Sequence, residues 1–402
     1  MKLSRNRIKK RSCAKIVKKR SLKRLSKRSK NFLERIEEDI LVCNDTSKCF
    51  SFDSTSINNI FKYATFEYCT KIETINKGAN GIVSLITYEI DEYLSTAILK
   101  RPTDSNSDNL FYEYIAGIEY INNQLKYFPC FVETYCLYDD NIEECDDNTN
   151  EISCDDIKNY RIVDISNIDM GDITCIRSCN LNLLIQNIDN AMTLHEYCKI
   201  ENGWYNIFEM RNILYQIYAV LDVLQNEFTH YDLHTGNVLL YQIPNGQSIT
   251  MRYHESDGQI IEFKTKFIAK IIDYGRCFYE GEKMYPENAS DCGYSFIDDT
   301  LLKDAYYIST QIPNKSHDLL LASRINEIDP LVFPYEIIYK DDYGTPPKDT
   351  NMSKKTINNV YDLHMNLKNL VTKSLMFYKT VPIIGILNIY LDKSKKMSYK
   401  TN

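Results

Sequence analysis

With 402 residues, 44% of them hydrophobic and 12% aromatic, the chain has ample apolar material for a core and suits a two-part unit with tails. Thirteen scattered cysteines, an odd number, sit poorly with a secreted disulfide framework, and no apolar run is long enough to span a bilayer. An intracellular, non-secreted setting is expected, and the net charge of −7 conceals a division, because residues 1–30 carry fifteen Lys or Arg and no acid.

Those basic residues recur as Lys10-Arg11-Ser12, Lys19-Arg20-Ser21 and Lys27-Arg28-Ser29. With no acid to offset their repulsion, residues 1–30 read as a flexible basic arm, either simply solvated or a tether to a polyanion or an acidic partner. Residues 31–60 form a mixed, Ser/Asn-rich extension.

From residue 61 the pattern tightens. Tyr68 to Ile75 alternates as a strand, and Asn76-Lys77-Gly78-Ala79-Asn80-Gly81-Ile82-Val83 reads as a turn and the start of a returning strand. Gly78 and Gly81 let backbone amides close over a phosphate without an intervening Cβ; an ordinary Asn/Gly hairpin is the alternative. The strand Thr96 to Leu99 delivers Lys100 beneath that turn. Leu110 to Tyr127 has helical periodicity, with Tyr114, Ile118, Ile121 and Leu125 on one face, and offers Glu113 or Glu119 as a carboxylate partner for Lys100. Phe131 to Tyr138 is a further strand. Residues 139–156 hold nine acids and no Lys or Arg, which predicts an acidic surface loop. Leu183 to Ile188 is an apolar strand, and Asp189 to Glu196 reads as a linker.

Ile207, Met210, Ile213, Leu214, Ile217, Val220, Leu221 and Leu224 recur at threes and fours, which predicts a long helix. It leads into His230-Tyr231-Asp232-Leu233-His234-Thr235-Gly236-Asn237, where a carboxylate can accept the proton of an attacking hydroxyl and an amide oxygen five residues later can hold a divalent cation. After a polar stretch over 241–266, read as a surface insertion, the strand Phe267 to Ile272 ends in Asp273-Tyr274-Gly275. Arg276 to Lys315 is rich in Asp, Tyr, Ser and Gly and contains no Ala-Pro-Glu. Asp318 opens an apolar helix, which it can cap. A charged break over 338–353, a helical period from Ile357 to Tyr378 and a terminal hairpin or tail over 381–402 complete the chain.

In this order, the glycine turn, Lys100, the Asp232–Asn237 loop and Asp273-Tyr274-Gly275 resemble the signature set of the protein-kinase-like superfamily. The Asp-Leu-His-x-Gly-Asn form of the loop is similar to that of the serine/threonine protein kinases of large, mimivirus-like DNA viruses. The resemblance covers about residues 61–380. It implies an α+β, two-lobed fold, with a β-rich lobe over 61–190 and a mainly helical lobe over 191–380. It further implies ATP with Mg2+ or Mn2+ as cofactors, and a protein Ser/Thr hydroxyl as acceptor. Asp232, Lys100 and Glu113 become the catalytic group, with Glu119 as the other candidate for the lysine's partner. Gly78, Gly81 and Lys100 meet the phosphates, Val83 also binds the nucleotide, Ile185 is gatekeeper-like, Asn187 lies at the adenine hinge, and Asn237 and Asp273 hold the metal. The resemblance also implies that Asp318 ties down the backbone of the Asp232 loop, a role compatible with helix capping. His234, where many protein kinases have Lys, and the missing Ala-Pro-Glu leave a small-molecule phosphotransferase open. Asn76 and Tyr231 leave open a nucleotide-binding scaffold without turnover. The resemblance places such a protein in host cytoplasm or packaged in a virion.

Overall fold

Alternation of apolar residues drives residues 69–186 into one six-stranded sheet of order β1-β2-β3-β6-β4-β5. The computed structural model describes residues 66–78, 81–90, 93–103, 110–140, 152–163, 180–200, 206–243, 246–281, 313–337, 356–371 and 381–401. The basic arm, the 31–60 extension, residues 141–151 of the acidic stretch, residues 282–312 and the 338–353 break lie outside these. β1 (Cys69–Gly78) and β2 (Gly81–Ile90) form a hairpin in which Gly78 pairs with Gly81. A Cβ on Gly81 would come within 2.7 Å of the Arg101 carbonyl, so glycine is needed here for close packing on β3 (Tyr93–Arg101). β4 (Thr134–Asp139), β5 (Arg161–Ile162) and β6 (Leu181–Gln186) complete the sheet.

The two faces of this sheet bury different sets. Ala97, Leu99 and Leu184 join Phe66, Tyr88, Tyr138 and Ile157 on one side, where a disulfide links Cys69 to Cys154. The dispersed cysteines offered no sign of that bond. Ile98, Leu183 and Ile185 point the other way into the main core, beside Phe111 and Ile115 of α1 (Leu110–Ala116). The helix expected over Leu110 to Tyr127 is not uniform: α1 passes through a π-turn, Gly117–Ile121, into a last helical turn at Asn122–Gln124. A Cβ on Gly117 would collide with Thr134, so the widened turn lets the helix lie close against β4. Nor is the whole acidic stretch a loop. Asp139 ends β4, and α2 (Cys154–Ile157) carries a capping box in which Ser153 and Asp156 bond reciprocally.

After the expected linker, which instead contains β7 (Ala191–Thr193) and the Thr193-capped helix α3 (Leu194–Cys198), the chain enters α4 (Ile207–Leu224). Asn206 caps α4 by accepting the Phe208 N–H at 2.8 Å, and thirteen of its eighteen residues are buried, so it forms the central post of this half. β8 (Phe228–Thr229) and β9 (Val238–Gln242) flank the loop that carries Asp232.

Residues 241–266 are not the surface insertion that their polarity suggested. β10 (Ser248–His254) and β11 (Ile260–Thr265) form a hairpin whose Ile249, Met251, Tyr253, Ile261 and Phe263 are buried. β12 (Phe267–Ile271) pairs with β9, and β13 (Phe278–Tyr279) with β8. α5 (Leu320–Ile328) is followed by two short strands, β14 (Glu336–Ile337) and β15 (Thr356–Ile357), and by α6 (Val360–Val371), which packs on α4. The terminal segment is likewise no free appendage. β16 (Ile383–Tyr390) runs parallel to β10 and antiparallel to β17 (Ser398–Thr401), giving a four-stranded sheet of order β11-β10-β16-β17. The result is a mixed α+β architecture of several sheets and helices, in which no helix among the described residues is long and apolar enough to cross a membrane.

Candidate functional site

Lys100 lies near the end of β3, with Val83 of β2 on one side and Leu183 of β6 on the other. Strand alternation puts it on the face that looks towards α1, opposite to Leu99. There the Lys100 Nζ donates to both carboxylate oxygens of Glu113, at 2.7 and 2.9 Å, and to Asp273 Oδ1 at 3.3 Å. The Glu113 side chain is 2% exposed, a burial that a carboxylate tolerates only with a cation beside it. Burial alone would lower the Lys100 ammonium, but the charges of Asp273 and Glu113 hold it above its ordinary range. For Asp273, burial opposes ionisation, yet the Lys100 ammonium, with Arg276, keeps the carboxyl below its ordinary value. Glu119 goes elsewhere, accepting from the Tyr279 hydroxyl at 3.2 Å.

Asp273 follows β12, which the Gln216 side chain of α4 pins at two points. The Gln216 amide donates to the Phe267 carbonyl and accepts the Ala269 N–H, each at 3.0 Å. Asp273 itself has φ +71°, a left-handed conformation that costs a non-glycine residue energy and persists only where its surroundings enforce it. The ring after it is equally fixed. The Tyr274 hydroxyl donates to the Ile271 carbonyl at 2.6 Å and accepts the Val132 N–H at 3.0 Å, two bonds that phenylalanine cannot make.

The Asp232 loop is held from beneath by two residues. Asp318 accepts the N–H of His230 at 2.9 Å and of Tyr231 at 3.1 Å, so both of its oxygens serve the loop; it sits in a 3-10 turn, His317–Leu319, and does not cap α5. Burial pushes the Asp318 carboxyl up to about 7, against the lowering effect of those two donors. His230 joins the loop to the Asp273 strand. Its Nδ1 accepts the Asp232 N–H at 3.3 Å, and its Nε2 donates to the Ile272 carbonyl at 2.9 Å. Burial lowers the ring to about 4, so it works as a neutral brace. Tyr231, with φ +61°, is buried against His317 at 4.7 Å between ring centroids. Replacing Asp318 with Ala leaves two buried N–H groups without their acceptor while Tyr231 keeps its strained backbone. Denaturant unfolding should therefore show a loss of about 2–5 kcal/mol, with Asp318→Asn in between. A loss under about 0.5 kcal/mol, the scale of an ordinary surface change, would show that the loop holds itself.

The Asn237 amide nitrogen donates to the Asp232 carbonyl at 2.9 Å, and its own carbonyl accepts the Ile272 N–H at 3.1 Å. Among the described residues no hydrogen bond ends on its Oδ1. Asp232 is 27% exposed and is approached by His234 Nε2 and Arg276 Nη1, each 3.8 Å from one of its oxygens. The structure thus gathers Lys100, Glu113 and Asp273 into one contact set, and Asp232 and Asn237 into a loop bonded to the residue before Asp273. Val83 flanks Lys100 across the sheet, and Gly81 lies at the hairpin end of the same strand. Ile185 is buried opposite Ile98; the Asn187 side chain is engaged with Thr96 and Asp189, at 2.9 and 2.6 Å. Arg276 was not singled out from the sequence. The signal was available, because His234 in the loop raises the question of which other cation serves Asp232.

Asn237 Oδ1 and the Asp273 carboxylate are hard oxygen donors, and no group of three or more His, Cys, Asp or Glu converges among the described residues. A cation that keeps water and phosphate ligands needs no all-protein cage.

No protein-family model matches the chain. Over 99 residues, 23% of its length, the chain is 36% identical to a probable serine/threonine-protein kinase of Dictyostelium discoideum. The matched stretch covers 8% of that protein. This partial similarity supports a distant relationship to the protein kinase superfamily.

Proposed function

We propose that the protein is an ATP- and Mg2+-dependent phosphotransferase, with a protein Ser/Thr hydroxyl as its first acceptor. The observation that carries this reading is the buried Lys100–Glu113 pair with Asp273 on the same ammonium, beside a loop offering Asp232 and Asn237. In this reading residues 61–190 and 191–380 are the two lobes of a protein-kinase-like fold, and Gly78, Gly81, Val83, Ile185 and Asn187 line the nucleotide cleft. Residues 1–30 serve as a polyanion- or acidic-partner tether, and the setting is intracellular. When bound, the magnesium nucleotide supplies an electrophilic γ-phosphoryl group and a cation that shields its charge. Lys100, steadied by Glu113, would hold the phosphates, Asn237 and Asp273 would hold the cation, and Asp232 would orient the acceptor hydroxyl and take its proton.

Lys100→Met should weaken Mg–ATP binding about tenfold or more, the loss of a charge-assisted phosphate contact. It also removes the cation from buried Glu113, at about 3–5 kcal/mol of stability. The double variant Lys100→Met/Glu113→Gln should regain stability without regaining affinity. Calorimetric titration and melting separate the two effects; unchanged affinity in Lys100→Met would remove Lys100 from the site, and no binding by the wild type would remove the cleft.

A further inference from the structure

The loop that carries Asp232 contains a histidine where a standing positive charge would assist phosphoryl transfer, and the structure shows why that histidine is a poor substitute. His234 Nδ1 accepts the Gly236 N–H at 3.0 Å, so that nitrogen carries no proton. Its Nε2 lies 3.8 Å from Asp232 Oδ1. On the other side of the same carboxylate stands Arg276, whose guanidinium is permanently charged. Its Nη1 lies 3.8 Å from Asp232 Oδ2, beyond hydrogen-bond reach, and its charge also acts on Asp273. The side chain is 34% exposed.

Arg276 is also held in place. It sits in a turn closed by the Cys277 N–H on the Tyr274 carbonyl at 3.2 Å. The Cys277 carbonyl in turn accepts the Tyr112 hydroxyl at 2.6 Å, from the residue next to Glu113 on α1. The helix that orients Lys100 therefore also positions the turn that carries Arg276.

We propose that Arg276 is a catalytic residue that binds the γ-phosphoryl group as it is transferred, supplying the cation that His234 does not. This rests on the phosphotransferase reading above. As the acceptor oxygen bonds to phosphorus, its hydroxyl proton passes to Asp232, and the bond from phosphorus to the bridging oxygen breaks with its electron pair leaving on the diphosphate. Negative charge builds on the three non-bridging oxygens and on the bridging one. An arginine beside the proton acceptor meets that charge more strongly in the transition state than in the ground state.

The test is calorimetric titration of the full chain with Mg–ADP, alone and with aluminium fluoride as a mimic of the group in flight, for wild type, Arg276→Ala and Arg276→Lys. Fluoride should tighten Mg–ADP in the wild type by about tenfold or more, and by less than about threefold in Arg276→Ala, with Arg276→Lys between them. Mg–ADP alone should bind wild type and Arg276→Lys alike and Arg276→Ala only slightly more weakly, through the charge lost beside Asp273, and a shared melting transition reports that the variants are folded. Where an acceptor is in hand, Arg276→Ala should lower kcat by about 10²–10³ with little change in KM for ATP. Equal tightening in wild type and Arg276→Ala, no tightening in either, loss of Mg–ADP binding in Arg276→Ala, or faster turnover by that variant would each overturn the assignment. Failure of the wild type to bind Mg–ADP would instead overturn the reading on which it rests.

Discussion

Asn in place of Asp232 is expected to reduce phosphoryl transfer by about 10²- to 10⁴-fold, the usual contribution of a positioned proton acceptor, while leaving nucleotide affinity nearly unchanged. The separation follows from how the loop is held. Asp232 is fixed through its backbone, its N–H on His230 and its carbonyl on the Asn237 amide, so removing the charge of its partly exposed carboxylate spares the loop. Asp273→Ala differs, because that carboxylate is a partner of Lys100 and a proposed metal ligand; it should lose affinity for the magnesium nucleotide as well as turnover. The measurement is label transfer from γ-labelled ATP to a mixture of proteins and to a panel of small hydroxyl compounds, with wild type and both variants. Label in protein Ser/Thr that disappears in both variants supports the leading reading. Label confined to a small compound moves the acceptor to that class. Wild-type turnover by Asp232→Asn refutes the role of Asp232.

Much of the candidate site was legible because its parts are local. Lys100 is visible as a charge ending an apolar strand, where short-range alternation fixes which way the side chain points, and Asp273 as a carboxylate just past the end of another, although its left-handed backbone was not readable. Choosing between Glu113 and Glu119 needed the three-dimensional helix. The π-turn at Gly117–Ile121 shifts the helical phase between them, so Glu113 meets Lys100 while Glu119 meets Tyr279. For Asp318 the residues alone left helix capping open, and it was the resemblance that pointed to the backbone of the Asp232 loop, where the side chain accepts two N–H groups nearly ninety residues earlier in the chain. The hydroxyl of Tyr274 escaped notice: its shape resembles that of Phe, while its two hydrogen bonds depend on Val132, far away in sequence. The disulfide between Cys69 and Cys154 joins residues 85 apart, which no spacing rule reveals.

The largest structural surprise, the pairing of β16 with β10, yields the largest expected effect on stability: the chain ending at residue 380 should not fold cooperatively. Ile384, Leu387, Ile389, Leu391 and Met397 are all at least 95% buried. At about 1.5–3 kcal/mol each, their burial is worth up to about 7–15 kcal/mol, as much as the whole net stability of an ordinary domain. Deletion also strips one edge of β10, leaving unpaired N–H and C=O groups along an apolar strand, a template for aggregation. The loss reaches the site. The Met397 N–H donates to the Lys126 carbonyl, just past the last turn after α1, and Lys393 bridges to Glu227 at 3.1 Å, directly before β8 and the Asp232 loop. The terminal sheet thus braces both the helix of Glu113 and the approach to Asp232. Circular dichroism melting and gel filtration of the 1–380 chain should show no cooperative transition and an aggregated or expanded species. A milder pair of variants, Leu387→Ala and Ile389→Ala, should each cost about 2–5 kcal/mol, the range for large-to-small changes in a packed core. A truncated chain that melts within a few degrees of the full one would mean that β10 and β11 hold their place without β16.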